Sequence, residues 1–268
     1  VPDTLASNPE PAETRSRASE LMALHRAEKL LTVVNVWDVI SARVVADVPG
    51  TAALATASHS IASSYGYDDG EQIPVDLMLE AVSRIVRATG LPVTADLEAG
   101  YGDPGETVRR AIGLGVVGCN LEDQLKPLPE AVRAVEQVVK VAEEEGVDFV
   151  LNARTDAFAR GRERDPEVNL ADAIERGRAF LDAGAPVVFV PGKLTDEQVQ
   201  ALVDAFGPQR LTLIAIPGTP PLARLEELGV ARVSFGPLSQ NVALTALQEL
   251  VEGVQRGEGV PSSMRVLN

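Results

Sequence analysis

Leu91-Pro92-Val93-Thr94-Ala95-Asp96-Leu97-Glu98-Ala99-Gly100-Tyr101-Gly102-Asp103 runs from an apolar segment into two acids and then into a glycine-flanked turn. An apolar run bounded by turn residues reads as a buried strand. Side chains alternate faces along a strand, so Asp96 and Glu98 are expected to point the same way. Two neighbouring carboxylates repel unless something positive lies between them. Taken alone, a D-x-E at a strand end is an ordinary solvated turn. Its meaning depends on how many other strands end alike.

Seven further stretches repeat the pattern, at residues 31–36, 52–56, 116–121, 147–152, 187–190, 211–215 and 231–235. Apolar spacing predicts helices over 38–48, 74–89, 104–114, 128–145, 170–183, 196–206, 221–228 and 238–256. Asp38 is placed to cap the first of these, Pro104 to open the third and Gly184 to close the fifth. One more helix, over 14–30, precedes the first strand. Residues 58–73 form a long polar segment, and loops of that length are usually functional or mobile. Residues 1–13 and 257–268 read as loose tails. Strands that alternate with helices are parallel and joined by crossovers. Eight such units in 268 residues have the size and count of an α/β fold, the closed (β/α)8 TIM barrel, here a single domain over 14–256 that includes the leading helix. The rival is an open doubly wound sheet. That fold carries a glycine-rich turn after its first strand, where this chain has Asn35-Val36-Trp37-Asp38.

The formal net charge is −15, which disfavours nucleic acid and anionic membranes as partners. An anionic substrate therefore needs local cations. The single cysteine, Cys119, rules out an intramolecular disulfide and reads as a core residue. Two histidines, His25 and His59, cannot build a histidine-rich zinc site. No apolar run reaches the ~18 residues of a membrane span, and the first residues lack a basic-then-apolar leader pattern. The expected setting is a reducing cytoplasm.

In a TIM barrel the C-terminal strand ends share the active face. Read in order, they offer Asn35, Trp37 and Asp38; Ser58 and His59; Asp96 and Glu98; Glu122 and Asp123; Asn152, Arg154 and Asp156. The third, fourth and fifth strands are neighbours, so Asp96, Glu98 and Glu122 are expected to converge. An all-oxygen set suits a hard ion, Mg2+ or Mn2+. Arg154 is the expected partner of a substrate carboxylate, because its planar fork matches two oxygens. Ser58, Trp37, His59 and Asn152 are the other expected substrate contacts. Three of the site residues have a plainer alternative: Trp37 as packing, His59 as a hydrogen-bonded loop residue, Arg154 as a structural ion pair to Asp156 or Glu122.

The chain resembles the isocitrate lyase / phosphoenolpyruvate mutase superfamily. The likeness rests on Ser41-Ala42-Arg43, Gly66-Tyr67-Asp68-Asp69-Gly70, Asp96-Leu97-Glu98-Ala99-Gly100-Tyr101-Gly102, Leu121-Glu122-Asp123-Gln124, Ala153-Arg154-Thr155-Asp156-Ala157 and Ala183-Gly184-Ala185, in that order. The resemblance implies that Asp96 is the direct metal ligand, with Glu98 and Glu122 acting through metal-bound waters. It makes Asp69 a loop acid of the same site, Arg154 the substrate arginine, and the loop at Ser58 a carboxylate holder. Asp69, Asp96 and Arg154 are then the expected catalytic residues. The implied activity is a Mg2+-dependent carbon–carbon lyase, decarboxylase or hydrolase acting on a small 2-oxo acid, oxaloacetate- or 2-oxoglutarate-like, through a metal-bound enolate. The alternatives are carbon–phosphorus chemistry of the mutase or phosphonate type, and a non-catalytic 2-oxo acid binding protein. The resemblance also implies a homo-oligomer, dimer or tetramer, with the last helices packed across subunits. One departure matters. The lyases carry Lys-Lys-Cys-Gly-His after the fourth strand, where this chain has Gln124-Leu125-Lys126-Pro127.

Overall fold

A computed structural model describes residues 5–267. Its strands are β1 (Leu31–Val33), β2 (Asn35–Val36), β3 (Leu54–Thr56), β4 (Val93–Asp96), β5 (Gly118–Glu122), β6 (Val150–Arg154), β7 (Val187–Phe189), β8 (Leu211–Ile214) and β9 (Arg232–Ser234). Every pairing is parallel, in the order β1-β9-β8-β7-β6-β5-β4-β3-β2. β1 and β2 are one chain segment interrupted at Val34. Its first half pairs with β9 and its second half with β3, so the sheet closes on itself. Nine ladder segments are therefore the eight expected strands of a TIM barrel. Asn35 latches the seam: its Oδ1 accepts the Phe235 and Gly236 N–H groups, each at 2.8 Å, and its Nδ2 donates to the Thr56 carbonyl at 2.8 Å.

The helices are α1 (Pro11–Arg26), α2 (Val39–Ala46), α3 (Ser58–Ser64), α4 (Val75–Ala88), α5 (Pro104–Gly113), α6 (Leu128–Glu144), α7 (Pro166–Asp182), α8 (Asp196–Phe206), α9 (Leu222–Glu227) and α10 (Leu238–Gln255). Asp38 caps α2 in a reciprocal box with Ser41, as its position implied. The aliphatic core lies between sheet and helices, with Ile85, Val108, Val138, Phe180 and Leu202 buried. α1 covers the N-terminal end of the barrel. Its Leu21 meets Gly118 at the start of β5, where an added Cβ would lie 3.1 Å from Leu21 Cδ2.

Three expectations change. The leading helix begins at Pro11, not residue 14, because proline is favoured in a first turn whose N–H groups lack partners. Just before it, Asn8 Oδ1 accepts from Ser83 Oγ at 3.0 Å. Residues 1–4 and 268 of the expected tails lie outside the described residues. The polar segment 58–73 contains α3, whose serines hid a turn that buries Ile61 and Ala62. α7 starts at Pro166 under an Asp165 cap, shortening the charged loop before it. Among the described residues no helix is long and apolar enough to cross a membrane.

Candidate active site

Asp96 ends β4, and its Oδ2 accepts the Ser58 hydroxyl at 2.8 Å and the Ser58 N–H at 3.2 Å. Glu98 does not continue the strand. It sits at φ +51, in the left-handed region that non-glycine residues rarely occupy. Strand alternation is therefore not what brings the two acids together. A turn does so, and Gly100 lets it close. An added Cβ there would lie 2.5 Å from Pro104 Cβ. The Glu98 carboxylate accepts from the Glu71 N–H and from the Tyr101 hydroxyl, the latter at 3.1 Å. Glu71 in turn accepts the Tyr101 N–H at 2.6 Å. Burial pushes the Glu98 pKa up to about 7, with the Asp96 charge adding and these two donors opposing.

Across the mouth, Arg154 at the end of β6 holds two acids. Its Nη1 lies 2.9 Å from Glu122 Oε2, and its Nε and Nη2 lie 2.8 and 2.7 Å from Asp156 Oδ1. Arg160 adds a contact to Asp156 Oδ2 at 3.3 Å. Burial raises the Glu122 pKa to about 7, although Arg154 opposes it; Asp156 and Asp96 add to the rise. Burial alone would lower the Arg154 pKa. Glu122, Asp156 and Asp96 overcome that and keep the guanidinium charged. One N–H on each terminal nitrogen of Arg154 remains for a ligand.

The expected residues divide. Asp96, Glu98, Glu122, Arg154 and Ser58 gather at the mouth. Asp69 is exposed, yet close enough to Glu98 for its charge to raise the Glu98 pKa. His59 lies exposed on α3, with no hydrogen bond to the acids. Trp37 lines an apolar cavity of about 600 Å3 with Val34, Ile40, Val44, Leu238 and Val242, between α2 and α10. Asn152 is a correction: it belongs to the barrel interior. Its Nδ2 donates to Asn120 Oδ1 at 2.7 Å and its Oδ1 accepts from Thr212 Oγ1 at 2.6 Å. The strand-end reading placed β6 two residues too early, and Arg154, not Asn152, ends the strand. Asp123 is structural as well. It accepts the Leu125 and Asp156 N–H groups, each at 3.0 Å, and pairs with Arg176 at 3.1 Å.

Sequence reasoning missed Glu71 and Arg160 as members of the site, and it gave Tyr101 no role beyond its place in the motif. Glu71 had no local signal, because its role follows from a left-handed φ of +62. Of the six non-glycine residues at positive φ among the described residues, five (Glu71, Glu98, Tyr101, Gln124 and Leu125) sit in the mouth loops. Strained backbone of this kind persists where the surroundings over-determine it, and it clusters at functional sites.

The donor chemistry fits a hard divalent cation. Burial, with the Asp96 charge adding to it, raises the proton affinity of both Glu98 and Glu122, a cost that a bound cation would offset. Among the described residues no three His, Cys, Asp or Glu side chains are grouped ready to coordinate an ion. An all-oxygen donor set suits a hard cation, which takes one or two carboxylates directly and keeps much of its hydration.

A model of the phosphoenolpyruvate phosphomutase family matches residues 21–255. The crystal structure of a Burkholderia cenocepacia J2315 protein, whose description as a phosphonomutase is itself provisional, superposes with a TM-score of 0.83 at 43% identity, covering 88% of this chain and 99% of that one. The 2-methylisocitrate lyase of Escherichia coli K12 is 31% identical over 221 residues, 76% of this chain and 72% of the enzyme. The oxaloacetate decarboxylase of Rhodopseudomonas palustris BisA53 is 29% identical over 277 residues, 92% of this chain and 94% of the enzyme.

Proposed function

The chain belongs to the phosphoenolpyruvate phosphomutase family, and from that premise we propose that it cleaves a carbon–carbon bond in a small 2-oxo acid of oxaloacetate type. One observation carries the reading: Glu122 and Asp96 act on Arg154, and Glu98 lies by Asp96, at the C-terminal mouth of a closed barrel, with no thiol or imidazole among them. Asp96, Glu98 and Glu122 would hold Mg2+ or Mn2+. When bound, the cation supplies Lewis-acid polarisation of the substrate's 2-oxo group. The remaining donors of Arg154 bind the adjacent carboxylate and fix which bond lies in line for cleavage. Ser58 holds the orientation of Asp96 through its hydroxyl and N–H. Tyr101 and the Glu71 N–H hold Glu98. Decarboxylation fits this inventory, because it needs charge stabilisation at the carbonyl and no cysteine acid.

The test is an assay with Mg2+ and oxaloacetate, phosphonopyruvate or 2-methylisocitrate as separate substrates. Release of pyruvate and CO2 from oxaloacetate is expected. Release of oxalate and acetate instead marks hydrolysis, which breaks the neighbouring bond between the 2-oxo carbon and the methylene. Tight 2-oxo acid binding without turnover of any substrate overturns the enzymatic reading. Carbon–phosphorus chemistry is the second reading, favoured by the likeness to the Burkholderia protein. The short β5–α6 connection, five residues from Asp123 to Pro127, weighs against it by leaving little chain to close over the mouth.

The same proposal includes a homo-oligomer. α10 leaves Val242, Leu244, Leu247, Val251 and Val254 exposed, and the apolar cavity between α2 and α10 lies beside it. A second copy of this helix is the occupant that matches both surfaces. Light scattering that returns a monomer's mass, 28.3 kDa, overturns this part.

A further inference from the structure

A cavity of about 1010 Å3 opens beside the carboxylates, between the loops that follow β6, β7 and β8. None of Asp96, Glu98, Glu122 or Arg154 lines it. Its charge is the reverse of the neighbouring mouth. Arg162, Arg164 and Lys193 line it against one acid, Asp196. Asp196 is held by Arg224 at 2.9 Å, and Arg164 is held by Asp172 at 3.1 Å. Arg162 and Lys193 have no ion-pair partner among the described residues. In a chain of net charge −15, two uncommitted cations in one concavity mark a place for an anion.

Lys193 is seated by the fold. Its stem lies across Gly218, where an added Cβ would come 2.8 Å from Lys193 Cε and 3.3 Å from its Nζ. Gly218 adopts φ +95, inside a turn locked by the Ile216 N–H donating to Thr219 Oγ1 at 2.9 Å. Gly192, just before Lys193, packs under Phe158 from the β6 loop, since a Cβ there would lie 2.7 Å from Phe158 Cβ. That β6 loop serves both places. Arg160 turns to Asp156 and Glu122, while Arg162, two residues on, lines the cavity.

We propose that this cavity is an anion subsite for the far end of the substrate. It takes a second carboxylate or a phosphate, several atoms from a 2-oxo acid head bound at Arg154. The inference rests on the reading of the mouth given above, and it deepens that reading by naming a longer, doubly anionic substrate class. A four-carbon acid seated at Arg154 leaves the cavity unfilled, whereas a longer acid with a charged end occupies both.

Inorganic phosphate and succinate, titrated separately by calorimetry, test it. The proteins are the wild type, the double variant Lys193→Ala/Arg162→Ala, and Asp96→Asn, each checked for folding by circular dichroism. At least one anion is expected to bind the wild type, to lose tenfold or more in affinity in the double variant, and to be unaffected in Asp96→Asn. Tighter binding of succinate assigns a carboxylate end, and tighter binding of phosphate a phosphorylated one. Equal affinity in wild type and double variant, or no binding of either anion, overturns the subsite. Loss in Asp96→Asn alone places the anion at the mouth and also overturns it. The reading of the mouth fails separately, through absence of turnover in the wild type.

Discussion

At the C-terminal mouth, the Asp96 charge acts on both Glu98 and Glu122. Inside the barrel Arg232 lies fully buried with its Nε and Nη1 unpartnered. The mouth is short of positive charge and open to whatever supplies it. The interior charge is locked in place by the fold. Arg232 Nη2 donates to Asn120 Oδ1 at 3.2 Å, and Asn120 is joined through Asn152 to Thr212, so β5, β6, β8 and β9 share one polar layer. Burial lowers the Arg232 pKa to about 10, and the Asp96 charge opposes the drop. Uncompensated charge at the rim belongs to ligand binding, while buried charge belongs to stability. Changes at the two places should therefore separate activity from folding.

The largest effect is expected at the mouth. Asp96→Ala should lower divalent-ion-dependent turnover about 1000-fold or more, on the scale of losing a principal electrostatic group. Its melting temperature should move by only about 3 °C, because the lost Ser58 contact is offset by relief of repulsion on Glu98. Steady-state kinetics beside calorimetry decide the matter. A collapse of melting temperature together with activity would make Asp96 a structural residue and break the comparison.

The interior should answer in the opposite way. Arg232→Ala leaves a cavity and removes one of the two donors to Asn120 Oδ1, and should cost about 3–5 kcal/mol in urea unfolding. Arg232→Met fills the space without a charge to desolvate, so it should recover most of that loss. If Met is as damaging as Ala, the cation itself is required, and Arg232 joins the mouth's electrostatics through Asp96.

His25 gives the interior a pH signature. It sits on α1 with Nδ1–H donating to the Leu21 carbonyl at 2.8 Å and with Nε2 unpartnered. Burial, then the Arg232 charge, lower its pKa from 6.5 to about 3. Above pH 6.5 folded and unfolded chains are both neutral there, and His25 adds no pH dependence. Between pH 6.5 and 3 the unfolded chain takes up a proton that the folded chain refuses. Stability therefore falls as pH falls, with a limiting slope of about 1.4 kcal/mol per pH unit. Urea midpoints from pH 7 to 4 should be flatter in His25→Gln than in the wild type. Parallel curves would remove His25 as the cause.

The barrel was legible because apolar period and helix spacing act locally: eight runs and their capping residues suffice to imply closure. Val34 interrupts the first strand without hiding it, since the two halves pair on opposite sides of one seam. Asp96, Glu122 and Arg154 were legible because each ends a strand. Glu98 was placed correctly for the wrong reason, a left-handed turn where alternation was assumed. Glu71, Arg160 and the interior role of Asn152 were not legible. They depend on backbone outliers and on which strands face each other across the barrel, which no local spacing encodes. Arg232 opens a strand that reads as apolar, and only closure buries it.

The smallest expected effect tests how finely the mouth is set. The Tyr101 hydroxyl donates to Glu98 Oε1 at 3.1 Å, and its own pKa is raised by burial and by the Glu98 charge. Tyr101→Phe removes one hydrogen bond, worth about 1 kcal/mol, so kcat/KM should fall about fivefold. Loss of that donor also favours the protonated form of Glu98, because the hydrogen bond holds the Glu98 pKa down. The acid limb of the kcat/KM profile should therefore move to higher pH in Tyr101→Phe, with no change in the urea slope set by His25. A fall in kcat/KM without that displacement would assign Tyr101 to packing against the core, and Glu98 would then be positioned by the Glu71 N–H alone.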